Sequence, residues 1–381
     1  MTASLPKTMK AIVIKEPYNI KVEDVPTPEI KSPNDAIIKV VYAGLCGSDL
    51  HIYRGHQPGP YGYVIGHEAF GEVVAVGAGV KTYKVGDLVC SPFSTSCGNC
   101  FYCNQGYTSR CIGGGALLGS AANPGAQAEY LRVPEAEASL FPAPADIKPE
   151  LLLLMADILP TGYYVAYNAR HLIDDGQVDA PKANGGAVVQ PVGKRGVAVV
   201  IGCGPVGLCA ISSACTMFEK VFATDIAEHR LDAARKHGAI ALQGDELKKA
   251  VLEATEGRGA DAVLEVVGHN SALETAVDLA RPFGVISSCG LHTHDVKIPG
   301  LALYGKKSLL ACSHASSSSL RLQFGRCSVH TFTPPAMQVL RDNQDLFSNF
   351  IEHQVGLDKA EEYYTLFEQN KIAKTVFVFD K

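Results

Sequence analysis

The stretch Val197-Ala-Val-Val-Ile-Gly-Cys-Gly-Pro-Val-Gly207 carries the strongest structural signal in this chain. Five apolar residues, Val197–Ile201, run without interruption, as a strand covered on both faces requires. They lead into Gly202-Cys203-Gly204-Pro205-Val206-Gly207, and a helix-like segment, Pro205–Met217, follows. In a strand–turn–helix of this kind the first glycine permits the tight turn. The second lets the backbone approach a pyrophosphate, and the third lets helix pack against strand. The helix N-terminus then offers free N–H groups and a positive dipole end to the phosphates. Asp225 closes the next apolar run, 221–224, eighteen residues after Gly207. A carboxylate there accepts hydrogen bonds from both ribose hydroxyls and repels a 2′-phosphate, so NAD is expected over NADP. Arg230, close behind, partly offsets that repulsion.

Downstream, further apolar runs at 262–267, 285–289 and 309–311 alternate with helix-like segments at 227–237, 247–256 and 271–279. That alternation predicts a doubly wound parallel sheet of the Rossmann type. Upstream the texture differs. Short apolar runs at 9–14, 36–43, 71–76 and 88–91 are separated by Gly, Pro and Asp, which predicts a small barrel-like or Greek-key β domain. The tail ends in a helix-like 359–369 and a strand-like 375–379. Residues 173–195 are polar and rich in Gly and Pro, which suggests a long loop or insertion. The expected division is a β-rich domain over 1–160, a coenzyme domain over 161–314, and a return to the first domain over 315–381.

Composition agrees with a chain of 381 residues in two domains, 47% hydrophobic and 19% charged. A net charge of -5 argues against a nucleic-acid partner. No apolar stretch approaches the length of a membrane span, and no secretory signal is visible. Reduced thiols and a cytoplasmic location are therefore expected.

Four cysteines fall at Cys97, Cys100, Cys103 and Cys111, a spacing of x2, x2, x7. Four thiolates so spaced can surround one tetrahedral ion, usually zinc; such a closed site leaves no position for substrate and is structural. Cys46 stands apart in Gly44-Leu-Cys-Gly-Ser-Asp-Leu-His51, and His67 in Gly66-His-Glu-Ala-Phe-Gly71, followed by Gly77 and Val80. Taken singly, either residue reads as a buried thiol or a core histidine.

Together and in this order, the glycine fingerprint, the cysteine cluster and the Gly-His-Glu-x2-Gly-x5-Gly-x2-Val run closely resemble the zinc-containing medium-chain alcohol dehydrogenases. The similarity covers nearly the whole chain, apart from 173–195. It implies a GroES-like β-rich catalytic domain beside the Rossmann coenzyme domain. It also implies two zinc ions per chain, one structural and one catalytic, and NAD as cofactor. Catalytic zinc in this family takes the Cys of the first motif, the His of Gly-His-Glu and a third ligand before the coenzyme domain. In the branch resembling glutathione-independent formaldehyde dehydrogenases that ligand is Asp. Asp157 occupies the place here, so Cys46, His67 and Asp157 are the expected set, with a fourth position open. The resemblance further implies Glu68 beside the metal, able to swing onto it, and Asp49 behind the His67 ring.

The implied reaction is hydride transfer between an alcohol carbon and nicotinamide C4. Zinc lowers the pKa of the alcohol oxygen so that an alkoxide forms, and Ser48 and His51 relay the proton outward. Val267, Gly290 and Leu291 match places where the family's backbone approaches the coenzyme. Tyr53, His56, Tyr61, Phe93 and Leu117 fall in segments that line the substrate pocket of similar enzymes. A small alcohol or aldehyde is the expected substrate, and a homodimer or homotetramer the expected assembly. Aldehyde oxidation of the formaldehyde dehydrogenase or dismutase type is the alternative. A zinc-free NADPH quinone or enoyl reductase and a non-catalytic NAD-binding protein of the same fold remain as rivals.

Overall fold

The computed structural model describes residues 5–57, 59–175, 195–298 and 320–379. The chain divides into two compact units, Met1–Pro160 with Ser328–Lys381, and Thr161–Cys327.

Among the described residues of Thr161–Cys327, six strands form one parallel sheet. Across it lie Ile240–Ala241, Lys220–Thr224, Val197–Ile201, Ala260–Glu265, Ala280–Ser288 and Arg321–Phe324. Counting the described strands from the first of the unit, this is the 3-2-1-4-5-6 order of a dinucleotide-binding fold, with the order reversing beside Val197–Ile201. That strand shows why an unbroken apolar run was needed. Ala198 and Val200 enter one core with Ala210, Ile211 and Ala214 of the helix Pro205–Met217. Val197, Val199 and Ile201 enter another with Leu247, Val251 and Leu273. Each buried Val or Ile stabilises the sheet by about 1.5–3 kcal/mol, so a polar residue on either face would be costly.

Two expectations are corrected here. The return to the first unit begins at Ser328 and not at 315, because Arg321–Phe324 pairs with 285–288 as the last described strand of the parallel sheet. The suggested loop 173–195 does not start at 173: Ile158–Asp175 is one helix, so 173–175 are its final residues. Most of that stretch, like the suggested strand at 309–311, lies outside the described residues. Its two flanks are tied together, since Asp174 pairs with both Arg170 and Arg195, and Arg170 Nη1 donates to the Arg195 carbonyl at 2.9 Å.

The first unit is β-rich. A three-stranded sheet joins Thr8–Glu16, Asn19–Pro26 and Tyr63–Val64. A seven-stranded sheet centres on Ala36–Leu45, flanked by Ala69–Val76 on one side and by Thr375–Val378 on the other. The C-terminal return thus supplies a strand to the middle of this sheet and a helix, Ala360–Glu368, whose Tyr364 and Phe367 join the core with Ile38, Leu45 and Leu50. Among the described residues, no helix is long and apolar enough to cross a membrane.

Candidate active site and metal centres

The strand Ala36–Leu45 ends one residue before Cys46, which caps the short helix Gly47–Tyr53. The turn places the Cys46 thiol in the interior, and Asp49 in the helix's first turn reaches back to accept the Cys46 N–H at 2.9 Å. Gly66, at φ +91°, turns the chain so that His67 and Glu68 point inward immediately before the strand Ala69–Val76. Asp157 follows the last residues of a buried apolar stretch, Leu153–Ala156. Cys46, His67, Glu68 and Asp157 are all buried, and one ligand atom from each lies within 4.8 Å of the others. Cys46 Sγ is 3.6 Å from Asp157 Oδ2, and His67 Nε2 is 3.4 Å from the same oxygen.

The electrostatics call for a cation. Burial, then the Asp157 carboxylate, raises the Cys46 thiol above its ordinary pKa. Burial alone would lower His67, but Asp49 and Asp157 outweigh it and hold the ring well above 6.5. His67 Nε2 and Glu68 Oε1 are buried without a hydrogen-bond partner. Unpartnered buried polar atoms are expensive, and a sulfur, an imidazole nitrogen and a carboxylate converging on one point are what a divalent zinc accepts. The residues fit the metal.

Behind this set Asp49 Oδ1 lies 3.1 Å from His67 Nδ1 and faces the far side of the ring. Glu68 Oε2 pairs with Lys374, a fully buried lysine on the C-terminal return that also donates to the Leu45 carbonyl at 3.3 Å. Burial would lower Lys374, but the Glu68 carboxylate more than offsets it. Gly44 makes room for this pair: a Cβ there would stand 1.7 Å from Glu68 Oε2. Ser48 is exposed on the first turn of the helix and His51 follows one turn later. His51 Nδ1 is buried without a partner; burial, then His56 and Arg54, lowers its pKa below 6.5.

Of the aromatic candidates, Phe93 meets the His67 ring edge-on at 6.3 Å. Tyr53 instead packs in the core against Tyr18 and Tyr364. His56, Tyr61 and Leu117 are exposed.

The four cysteines gather in the segment 97–111 of the same unit, with sulfurs again within 4.8 Å of one another. Gly98 and Gly114, both at positive φ, bend the loop round them. The N–H groups of Ile112 and Cys103 stabilise the Cys100 thiolate and bring its pKa down to about 6. Burial, then the neighbouring sulfurs, pushes Cys103 up to about 12. A metal that takes all four as thiolates resolves that imbalance.

In the other unit, Gly202 sits at φ +98°, and a Cβ on Gly207 would meet the Gly202 carbonyl oxygen at 1.9 Å, so strand and helix touch there. Gly204 caps the helix that begins with Pro205 and Val206. Asp225 is anchored by two backbone donors, Cys203 N–H to Oδ2 at 2.8 Å and Ala227 N–H to Oδ1 at 2.9 Å. Arg230 Nη1 lies 3.6 Å from Asp225 Oδ2. Val267 and Leu291 are exposed, and Gly290 lies so near Gly268 that a Cβ would meet its nitrogen at 2.1 Å. Glu265, which no motif marked, is fully buried beneath these segments. It accepts the Val267 and Gly268 N–H groups at 2.8 and 2.7 Å and the Ser288 hydroxyl at 2.6 Å, and it pairs with His292 at 3.2 Å.

Comparison with known proteins agrees with this architecture. Residues 32–145 match the alcohol dehydrogenase GroES-like domain, and 205–322 match the zinc-binding dehydrogenase domain. Zinc-type alcohol dehydrogenase B of Aspergillus flavus is 42% identical over 374 residues, 97% of this chain and 81% of the relative. Glutathione-independent formaldehyde dehydrogenase of Pseudomonas aeruginosa is 30% identical, covering 88% of this chain and 86% of that one. An alcohol dehydrogenase from Thermus sp. ATN1 superposes with a TM-score of 0.82 at 30% identity, over 97% of this chain and 99% of the other. The chain belongs to the zinc-containing medium-chain alcohol dehydrogenase family. It is an oxidoreductase, a zinc-dependent alcohol dehydrogenase that works with a nicotinamide cofactor.

Proposed function

We propose that the chain oxidises a small alcohol, and in reverse reduces the aldehyde, with NAD as hydride carrier and two zinc ions per chain. The catalytic ion would be held by Cys46, His67 and Asp157, and the structural ion by Cys97, Cys100, Cys103 and Cys111. The observation that carries this reading is the convergence of buried ligand atoms from Cys46, His67, Glu68 and Asp157 within 4.8 Å of one another. When bound, zinc supplies Lewis acidity to the substrate oxygen and makes its hydroxyl more acidic. Ser48 then takes the hydroxyl proton, and His51 carries it on to solvent. A depressed His51 pKa keeps the ring neutral at pH 7 and ready to accept.

Gly202, Gly204 and Gly207 would receive the pyrophosphate at the helix N-terminus. Asp225 would take the ribose hydroxyls. Its carboxylate is already oriented by two amides and retains lone pairs for them. The Asp225 carboxylate supports NAD over NADP, and Arg230 Nη1, 3.6 Å away, offsets its charge only in part. Val267, Gly290 and Leu291 would lie along the coenzyme. A reducing, cytoplasmic setting and a homodimer or homotetramer complete the proposal.

Metal analysis with NADH absorbance tests it: two zinc ions per chain are expected, together with faster turnover on NAD than on NADP. One zinc in fully active enzyme would remove the two-site assignment. Asp225→Gly should weaken NAD by about tenfold or more and improve NADP, on the scale of ~1–3 kcal/mol for a charged hydrogen-bonding partner. An unchanged cofactor ratio would contradict the ribose assignment. The 30% identity to a formaldehyde dehydrogenase favours testing formaldehyde alongside primary and secondary alcohols.

A further inference from the structure

We infer that Gln127 and Tyr364 are positioning residues for the catalytic metal site, fixing the facing of the Asp49 carboxylate and thereby the His67 nitrogen offered to the metal. The inference rests on the assignment of Cys46, His67 and Asp157 as metal ligands.

Gln127 is fully buried, and its backbone is held at both ends: its N–H donates to Ile65 at 3.0 Å, and its carbonyl accepts from Ile12 at 2.8 Å. The side chain lies over Gly66, where a Cβ would stand 2.4 Å from Gln127 Cγ. The glycine next to His67 therefore leaves space for this amide as well as turning the chain. From there Gln127 Nε2 donates to the Gly44 carbonyl at 3.0 Å and to Asp49 Oδ2 at 3.4 Å. Gln127 Oε1 accepts the Tyr364 hydroxyl at 2.7 Å.

The sense of the amide is determined from both sides. A flipped amide would set Oε1 against a carbonyl and a carboxylate, neither of which has a proton to give. Tyr364 is fully buried, and burial, then the Asp49 charge, holds its hydroxyl protonated well above pH 10, so it acts as donor. Hydrogen-bond polarity thus runs from Tyr364 to Gln127, and from Gln127 to Asp49. Asp49 Oδ2 receives both the Gln127 amide and the Cys46 N–H. Oδ1 is left to face His67 Nδ1 at 3.1 Å. That contact retains the proton on Nδ1 and leaves Nε2 with its lone pair directed into the donor cluster, as a metal-binding imidazole requires. Tyr364 comes from the helix Ala360–Glu368, so the C-terminal return reaches the ligand set through this chain of bonds.

The test uses the full-length chain with Co²⁺ as probe in competition with a chelator, reading the buried and four-cysteine sites by their separate absorption bands. Outer partners of metal-bound histidines are worth roughly 10–100-fold in metal affinity. Gln127→Glu keeps the size and the Tyr364 bond but turns an acceptor toward Asp49. It should weaken Co²⁺ at the buried site by about tenfold or more and leave the four-cysteine site unchanged. Tyr364→Phe, which removes one oxygen from a core aromatic, should weaken it a few-fold. Once Gln127 is changed to Leu, Tyr364→Phe should add nothing, because the two act in series. ¹⁵N spectra of the chain loaded with Zn²⁺ should show the His67 Nδ1–H resonance shifted or lost in each variant. Wild-type Co²⁺ affinity at the buried site in both Gln127→Glu and Tyr364→Phe would overturn the inference, whatever their melting temperatures. Failure of the wild-type chain to take up Co²⁺ at Cys46, His67 and Asp157 would instead remove the ligand assignment, and the positioning role with it.

Discussion

The two candidate metal centres use similar donors and are built in opposite ways. The four cysteines fall within fifteen consecutive residues, in a loop where each is partly exposed and backbone N–H groups point at the sulfurs. Cys46, His67 and Asp157 are drawn from positions 111 residues apart and lie in the interior, backed by Asp49 and flanked by the buried pair Glu68 and Lys374. A loop can close on an ion by itself, and a closed four-sulfur site then does structural work. An open catalytic site needs rigid ligands that do not collapse onto the vacant position, so it is assembled from elements already fixed by a core.

The comparison can be broken by substitutions on either side. Cys46→Ser should remove one zinc and lower kcat/KM by roughly 10³-fold or more, since metal catalysis supplies several kcal/mol at the transition state. The melting temperature should move little. Full zinc content or near-normal turnover would refute the ligand assignment. Gly44→Ala comes next. Its Cβ would strike Glu68 and separate it from Lys374, destabilising the unit by about 1–3 kcal/mol or more and lowering zinc retention at the buried site alone. Equal loss from both centres would mean that the whole unit had loosened.

His51→Gln should slow alcohol oxidation by roughly 10- to 100-fold near pH 7. The wild-type rate should fall as pH drops through a value below 6.5, where the ring gains its proton and stops accepting, and the variant should lack that limb. Identical pH profiles would exclude His51 from the relay. The smallest effect on turnover belongs to Cys103→Ser. It should cost one zinc and lower thermal stability, yet leave kcat within about tenfold below the transition, because a closed site has no place for substrate.

Legibility followed the same division. The cysteine cluster and the glycine fingerprint could be read directly, since the residues that act together are neighbours in the chain. The helix Pro205–Met217 and the strand Val197–Ile201 were read to the residue for the same reason. Cys46, His67 and Asp157 were readable only through resemblance, because nothing local distinguishes a ligand from a buried thiol or a core histidine. The helix Val329–Asp342 is not legible in the sequence: Pro334 and Pro335 lie inside it and interrupt the pattern that usually marks a helix. The end of the coenzyme unit is hidden in the sequence because Arg321–Phe324 is short and half-polar, and only its parallel pairing with Ala280–Ser288 makes it a strand of that sheet.

Lys374, Gln127, Tyr364 and Glu265 lie outside every motif, and each is a polar group buried where an apolar one would be expected. Their meaning exists only in their partners, which are distant in sequence. Local sequence is enough to reveal the short units of this protein: a glycine turn between strand and helix, a four-cysteine loop, a buried parallel strand. Those depend on backbone freedom and spacing within a few residues. How the buried set of Cys46, His67, Glu68 and Asp157 is oriented and kept from neutralising itself emerges only in the folded chain. That depends on hydrogen-bond polarity and charge pairing between segments that meet only when the core forms.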